Sequence, residues 1–240
     1  MPDISSDATA HTQHFAQSAQ ARRTMVDCQI RTFDVTDQRL LARLLEVPRE
    51  AFLPAELSPL AYSDLSLTVS AGGKPRALLS PLVLARLIQE AGVRSSDNVL
   101  DVGAATGYSS ALLAGLAGRL TALESESGLH DAMRSNLDLL GLTQVQTVHG
   151  PLEDGAAKQA PFDLILIHGA VEAHLDQLFG QLKVGGRLLA FKPLAGDGSG
   201  QASKAVRYEK IEGGRGYRVL FDASAPLLDA FRQEAQFAFL

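Results

Sequence analysis

The stretch Asn98–Ala114 constrains the fold of this chain most strongly. It begins with a short apolar run, Asn98–Val102, which predicts a buried strand. Small residues follow over Gly103–Gly107, and an Ala- and Leu-rich segment that starts at Tyr108 predicts a helix. A strand that enters a helix through such a turn brings backbone N–H groups and a helix N-terminus next to a ligand. The sequence therefore predicts a ligand-binding turn here.

Alternating strand and helix patterns follow this turn. Helical patterns run over about 129–140 and 172–182, between apolar strand runs. The further predicted strands are Leu120–Leu123, Val145–His149, Phe162–Ile167, Arg187–Phe191, Val206–Ile211 and Tyr217–Phe221. Gly213-Gly214 separates the last two strands, which predicts an antiparallel hairpin at a sheet edge. The alternation predicts an α/β fold with a doubly wound, Rossmann-like, mostly parallel sheet.

The chain upstream of this pattern divides into two parts. Residues 1–18 are polar and lack an apolar period, which predicts a disordered tail. Residues 19–95 form an N-terminal helical extension, in which Thr36 or Asp37 can be the N-cap of a second helix. Residues 96–240 then form the ligand-binding domain.

Composition excludes several classes of function. The 240 residues are 46% hydrophobic and 20% charged, which is sufficient for a packed core. The net charge of -5 and the absence of a Lys/Arg run argue against nucleic acid as a partner. Cys28 is the single cysteine, so no intrachain disulfide can form, and no apolar run suits a signal peptide or a membrane span. We expect a cytoplasmic protein that has no membrane partner and, because His11 and His14 lack a third ligand, no metal site.

The ligand is indicated by two carboxylates. Glu124 closes the second strand, 21 positions after Gly103, where it can accept hydrogen bonds from both hydroxyls of a ribose. Nicotinamide enzymes and S-adenosylmethionine-dependent methyltransferases share this spacing. The dinucleotide pattern G-x-G-x-x-G is absent, because Ala105 and Tyr108 stand at two of its glycine positions. Asp101 would repel a pyrophosphate but suits an ammonium group or a sulfonium, so the turn favours S-adenosylmethionine.

A simpler interpretation of the two carboxylates stays open, in which Asp101 caps the turn and Glu124 caps the next helix. Taken together with the glycines at this spacing, they indicate a cofactor site. The predicted cofactor-binding residues are Asp101, Gly103, Ala104, Ala105, Thr106, Gly107, Tyr108, Glu124, Ser125, Pro151, Leu152 and His168.

The segment Val99–Tyr108 resembles the first motif of class I methyltransferases. More narrowly, the chain from about Met25 resembles protein-L-isoaspartate O-methyltransferases. The supporting segments are Val47–Pro54, Ala61–Asp64, Ala160–Asp163, Gly169-Ala170 and Gln181–Leu188. The resemblance implies a seven-stranded sheet of order 3-2-1-4-5-7-6, with the upstream helices covering the substrate side. It also implies a repair activity that methylates isoaspartyl residues in a protein or peptide substrate.

The predicted substrate loop departs from the family pattern. The family usually has Gly-Gln-Thr-Ile-Ser-Gln-Pro, whereas this chain has Gly-Lys-Pro-Arg-Ala-Leu-Leu-Ser-Pro over Gly73–Pro81. Leu79 stands at the family's serine position, and Ser80 can replace that serine as a catalytic hydroxyl only if the loop shifts. The position of Ser80 directly before Pro81 predicts that it is the N-cap of the next helix. A shifted loop would prevent Ser80 from being that N-cap.

Other polar side chains can line the substrate side. Tyr62 and Asp64 can orient or anchor the loop, and Arg76 and Lys74 can attract an anionic acceptor or simply be solvated. The predicted substrate-loop residues are Tyr62, Asp64, Arg76 and Leu79.

Two departures affect the predicted cofactor site. Ala105 replaces a family glycine in the turn, and the added methyl group need not prevent cofactor binding. Pro151 replaces the acidic residue expected at the adenine amino group, where the backbone of Leu152 or the side chain of Glu153 can serve instead.

His168 ends the fourth strand, near the expected position of the methyl group. It can act as a catalytic general base, or it can be a histidine with a purely structural partner.

Three hypotheses about the function follow. The chain is an isoaspartyl methyltransferase, or a methyltransferase with another acceptor, such as a small molecule, and with His168 or a loop residue as the base. The third is a cofactor-binding protein that has lost the chemistry. The sequence leaves the oligomeric state open.

Overall fold

The computed structural model describes residues 16–194 and 202–234. The described helices are α1 (16–25), α2 (Gln38–Glu46), α3 (Pro81–Ala91), α4 (Tyr108–Leu113), α5 (Ser127–Leu139) and α6 (Asp176–Gln181). The described strands are β1 (Leu67–Val69), β2 (Arg76–Leu78), β3 (Asn98–Val102), β4 (Arg119–Glu124), β5 (Gln146–His149), β6 (Phe162–Ala170), β7 (Leu182–Pro193), β8 (Ala202–Ile211) and β9 (Gly214–Ser224).

Seven strands form one sheet in the order β5-β4-β3-β6-β7-β8-β9. The strands from β5 to β7 in this order are parallel, and β8 and β9 are antiparallel to their neighbours. Alternate residues of β3 pack on opposite faces, with Val99 in the hydrophobic cluster that includes α2–α5 and Leu100 in the cluster that includes α6. The predicted α/β fold with a mostly parallel seven-stranded sheet is confirmed.

The strand order implied by the resemblance is wrong at one edge. Counting β3 as strand one, the order is 3-2-1-4-5-6-7 rather than 3-2-1-4-5-7-6, because β8 pairs with both β7 and β9. Only residues 194–201 separate β7 from β8, which is too short for the crossover that a parallel partner requires. The predicted hairpin at Gly213-Gly214 is confirmed, and it places β9 outside β8.

Several predicted boundaries shift. β6 continues to Ala170, so that His168 lies inside the strand rather than at its end. The helix predicted over 172–182 is shorter, because α6 covers only Asp176–Gln181. Residues 16–18 of the predicted tail are helical, and residues 1–15 lie outside the described residues.

Local capping signals fix the N-terminal helices, and tertiary contacts attach them to the sheet. Asp37 is the N-cap of α2 and accepts hydrogen bonds from the backbone N–H groups of Arg39 and Leu40. The buried Arg187 on β7 donates to the carbonyl oxygen of Gly92 at 2.8 Å and to the carboxylate of Asp97 at 2.7 Å. These hydrogen bonds of Arg187 hold the end of α3 against the sheet.

No described helix combines the length and apolarity needed to cross a membrane.

Candidate active site

The predicted turn connects β3 to α4 at the carboxyl end of the sheet. Gly103 (φ 72°) and Gly107 (φ 97°) are left-handed, and a Cβ at Gly107 would lie 3.0 Å from the Cγ of Met133. Ala105 also has a left-handed φ of 52°, which is uncommon for a residue with a side chain. Its backbone N–H donates to Oε2 of Glu124 at 3.0 Å, so the turn is tied to the end of β4.

Glu124 is fully buried at the end of β4. Its Oε1 accepts hydrogen bonds from the backbone N–H groups of Ser125 at 2.8 Å and Glu126 at 3.1 Å, just before α5. The simpler interpretation, that Glu124 supports the start of the next helix, therefore describes contacts that the structure contains. The same oxygen lies 3.1 Å from Nη2 of Arg76, which reaches over from β2. The carboxylate predicted to hold a ribose is thus also an ion-pair partner of the loop.

Arg76 and Lys74 do not present free charges to an acceptor. Nη2 of Arg76 also donates to Oγ of Ser125 at 2.6 Å, and Nζ of Lys74 lies 3.0 Å from Oδ2 of Asp229. Both cations thus contact the opposite wall, and the predicted attraction of an anionic acceptor stays a prediction. Since opposite charges are paired, the loop adds little net positive field to the site.

A cavity of about 450 Å³ opens beside Glu124, within the range of small-molecule sites. It lies at the carboxyl ends of β4 and β5, where open α/β sheets bind ligands. Its lining includes Arg76, Ser125, Glu126, His149, Gly150, Pro151, Leu152 and Leu228. The predicted residues Ser125, Pro151 and Leu152 are thus brought together. The predicted contact between Glu124 and a ribose stays a prediction, and it requires Arg76 to move from the carboxylate.

Asp101 lies under the turn, in a network that the sequence analysis did not foresee. Oδ2 accepts from the hydroxyls of Ser109 at 2.7 Å and Ser110 at 2.6 Å, and Oδ1 contacts Nε2 of His168. Burial by itself would raise the pKa of Asp101, but His168 and the two hydroxyls outweigh it and hold the pKa below its usual value. The carboxylate thus stays ionised and braces α4. Its contact with a cofactor ammonium group stays a prediction.

A second, smaller cavity of about 20 Å³ lies where the N-terminal extension meets the turn. Its lining includes Arg49, Leu79, Gly103, Ala104, Ala105, Tyr108, Ser109 and His168. Leu79, at the family's serine position, therefore does lie next to the predicted turn. Thr106 does not line this cavity, and its hydroxyl donates to the carbonyl oxygen of Phe52 at 2.7 Å.

Ser80 has the register of a helix cap. Its Oγ accepts from the backbone N–H of Val83 at 3.4 Å, and Pro81 begins α3. The predicted N-cap at Ser80 is confirmed. A shifted loop, which would place Ser80 at the family's serine position, is incompatible with this cap. A catalytic hydroxyl at Ser80 stays a prediction that this register does not favour.

Tyr62 and Asp64 anchor neighbouring elements. The hydroxyl of Tyr62 donates to Glu50 and accepts from Nη1 of Arg22 at 3.1 Å, so it joins α1 to the segment after α2. Asp64 accepts from the backbone N–H of Leu82 at 3.3 Å, in the first turn of α3. These contacts lie outside Gly73–Pro81, so a role of Tyr62 and Asp64 at the substrate loop stays a prediction.

Residues after β9 cover the turn from the other side, which the sequence analysis missed. The backbone N–H of Ala170 donates to the carbonyl oxygen of Pro226 at 2.8 Å, and that of Leu228 donates back to Ala170 at 3.1 Å. This places Leu228 against Gly169 and Gly103, where a Cβ on Gly169 would lie 2.5 Å from the Cγ of Leu228. No local pattern predicts this contact.

Across residues 16–194 and 202–234, no cluster of three or more His, Cys, Asp or Glu residues could hold a metal ion.

Comparison with known proteins agrees with this geometry. The model of the family "Protein-L-isoaspartate(D-aspartate) O-methyltransferase (PCMT)" matches residues 20–218. This chain belongs to that family. Family members depend on S-adenosylmethionine as cofactor. The resemblance drawn from the motifs is thereby confirmed.

Two relatives illustrate the extent of the similarity. The protein-L-isoaspartate O-methyltransferase of Koribacter versatilis (strain Ellin345) is 37% identical over 168 residues, which cover 70% of this chain and 74% of that protein. The protein-L-isoaspartate O-methyltransferase 1 of Rhodopseudomonas palustris (strain HaA2) is 37% identical over 201 residues, covering 83% and 77% of the two chains.

Solved structures support the fold. A protein-L-isoaspartate O-methyltransferase matches with a TM-score of 0.75 and 22% identity, covering 86% of this chain and 65% of that one. A candidate protein-L-isoaspartate O-methyltransferase from Plasmodium falciparum, in complex with S-adenosyl-L-homocysteine, matches with a TM-score of 0.68 and 16% identity. That match covers 89% of this chain and 98% of the other.

Proposed function

We propose that this chain is an S-adenosylmethionine-dependent methyltransferase that methylates the free carboxylate of isoaspartyl residues in damaged proteins. The observation that carries the proposal is the cavity beside Glu124, next to a turn of small residues, in a member of the isoaspartyl methyltransferase family. The cavity supplies a site for the nucleoside. The family supplies the class of acceptor.

The chemistry requires little of the protein beyond positioning. When bound, S-adenosylmethionine supplies a methyl group on a positively charged sulfur. A carboxylate is already anionic at neutral pH, so its oxygen can form the new C–O bond as the S–C bond breaks and its electron pair stays on sulfur. No proton moves, and no general base is needed. The chain therefore acts by holding the two groups in line and excluding water.

The roles of individual residues follow from their places. Glu124 accepts hydrogen bonds from the ribose hydroxyls once Arg76 has moved, and Pro151 and Leu152 form a wall for the base. Gly103 allows the ligand to approach the backbone, because no side chain projects there. Leu228 covers the turn and limits access of water.

A second candidate function rests on the contact between His168 and Asp101. A histidine whose ring is oriented by a buried carboxylate is the usual arrangement of a general base. Such a base suits a hydroxyl or amine acceptor, which must lose a proton when it is methylated. His168 lines the small cavity, and the structure gives its Nδ1 no hydrogen bond to a described residue.

One experiment separates the two functions. The protein is given labelled S-adenosylmethionine with an isoaspartyl peptide and, in parallel, with the normal aspartyl peptide. We expect transfer to the isoaspartyl peptide only, and a His168→Gln variant that keeps its kcat, because that reaction transfers no proton. Cofactor binding without transfer would refute the isoaspartyl function. A loss of about 10²–10⁴ in kcat for another acceptor in His168→Gln would support the second function.

A further inference from the structure

Arg49 is a buried cation that the proposed function does not use. It lies in the 3₁₀ turn Arg49–Phe52 after α2, and its side chain is fully inaccessible to solvent. A guanidinium remains charged in proteins and carries five N–H donors. Burying such a group without a compensating anion is costly. A fully buried arginine therefore implies a partner.

The described part of the chain does not supply that partner. Nη2 of Arg49 donates to the carbonyl oxygen of Leu79 at 2.9 Å, but Nε and Nη1 have no hydrogen-bond partner. The guanidinium lies over the ring of Tyr108, 4.8 Å from its centroid. Burial lowers the pKa of Arg49, and the nearby side chains of Tyr108, Tyr62 and Asp64 only partly counteract this. Most of the donor capacity of this side chain is thus unused.

A second buried polar atom of this kind belongs to Tyr108. Its hydroxyl makes no hydrogen bond of normal geometry to any described residue, although only 1% of Tyr108 is exposed. Arg49 and Tyr108 line the same small cavity, together with Leu79, the turn and His168. Two neighbouring side chains therefore bring incompletely satisfied hydrogen-bonding groups to the lining of one cavity beside the turn. A water molecule can fill about 20 Å³, but it would leave the positive charge uncompensated.

We propose that Arg49 and Tyr108 form a carboxylate-binding site beside the turn. The cavity has room for about one water, so a carboxylate enters only as the cavity widens. Nε and Nη1 of Arg49 can then bind its two oxygens in parallel, and the Tyr108 hydroxyl can donate to one of them. Two carboxylates can come from the proposed reaction: the amino-acid carboxylate of the cofactor and the free carboxylate of the isoaspartyl acceptor. The acceptor as a source rests on the proposed function. The cofactor as a source requires only that the nucleoside binds.

The test measures a preference for a carboxylate with two matched pairs of ligands. S-adenosylhomocysteine is compared with 5′-methylthioadenosine, which lacks the amino-acid portion. An isoaspartyl peptide is compared with the same peptide in which that carboxylate is a carboxamide. Binding to the full chain is measured by calorimetry, with the peptides added in the presence of S-adenosylhomocysteine. No step depends on turnover, so a failure of isoaspartyl methylation leaves the measurement intact.

The variants are Arg49→Met, which removes the charge, and Tyr108→Phe, which removes only the hydroxyl. Tyr108→Phe keeps the buried ring and its packing against Arg49 and Phe52, so it provides the test if Arg49→Met does not fold. Tyr208→Phe on β8, half-buried between Phe179 and Tyr217, is the matched control. We expect one of the two preferences to fall at least about tenfold in Arg49→Met and about three- to tenfold in Tyr108→Phe.

The outcomes identify the source. Loss of the preference for S-adenosylhomocysteine assigns the site to the cofactor carboxylate. Loss of the preference for the isoaspartyl peptide, with the nucleoside ratio unchanged, assigns it to the acceptor. The proposal is overturned if the wild-type protein prefers neither carboxylate-bearing ligand over its matched partner. It is also overturned if the variants keep both preferences, or if they weaken the binding of both ligands of a pair equally.

Discussion

Removal of Arg76 is expected to tighten nucleoside binding. Its Nη2 lies 3.1 Å from Oε1 of Glu124, and the side chains are only 10% and 0% exposed. Ribose hydroxyls need the same carboxylate, so a bound nucleoside has to displace the guanidinium. Glu124 keeps the backbone donors of Ala105, Ser125 and Glu126 when Arg76 is lost, so the carboxylate stays in place.

The magnitude follows from the contacts that are broken. A hydrogen bond to a charged group contributes about 1.5–3 kcal/mol. The displaced guanidinium regains water and can keep its longer contact of 3.8 Å with Glu126, which offsets part of this amount. A net effect of about 1.4 kcal/mol corresponds to a tenfold change in Kd. We therefore expect Arg76→Ala to bind S-adenosylhomocysteine about tenfold more tightly than the wild type.

Calorimetry with S-adenosylhomocysteine measures this change, and Arg218→Ala is the matched control. Its loss changes the net charge equally, but Arg218 lies on β9, does not line the cavity, and has Glu90 as its ion-pair partner. We expect the control to bind like the wild type. Unchanged or weaker binding by a folded Arg76→Ala protein would refute the reasoning, because Arg76 would then not compete with the ribose.

Three further predictions concern stability, measured as the free energy of unfolding in urea by circular dichroism. Asp101→Asn should lose about 2–4 kcal/mol at pH 7. The pKa of Asp101 is lower in the folded than in the unfolded state, so its stabilising contribution is complete above the unfolded pKa of about 3.9. This contribution disappears as the pH falls through the folded pKa, so the difference in stability between the variant and the wild type should shrink in that pH range. Gly107→Ala should cost about 1–3 kcal/mol more than Gly141→Ala, since both positions are left-handed but only the first is crowded; equal losses would contradict this. Arg187→Met should cost about 3–5 kcal/mol, and adding Asp97→Leu should restore part of it; a further loss in the double variant would contradict the buried pair.

Much of the local structure was predictable because its signals are local. The bounds of β3 follow from an apolar run between a charged segment and a glycine, and the cap at Ser80 follows from a hydroxyl before a proline. The hairpin between β8 and β9 follows from Gly213-Gly214. In each case the residues that decide the structure are only a few positions apart. The motif that indicated the family is local for the same reason, because the turn is built from small residues that follow one another in the chain.

The sequence by itself determined the α/β pattern, the small-residue turn with Glu124 beyond it, and membership of the isoaspartyl methyltransferase family. Only the tertiary structure decided that Asp101 meets His168, 67 positions away, and that Arg76 covers Glu124, 48 positions away. The first contact exists because β6 pairs directly with β3, and strand order is not written in any local pattern. The burial of Arg49 likewise depends on the packing of the N-terminal extension on the turn. Long-range neighbours are set by how elements pack together, which the periodicity of one chain does not specify.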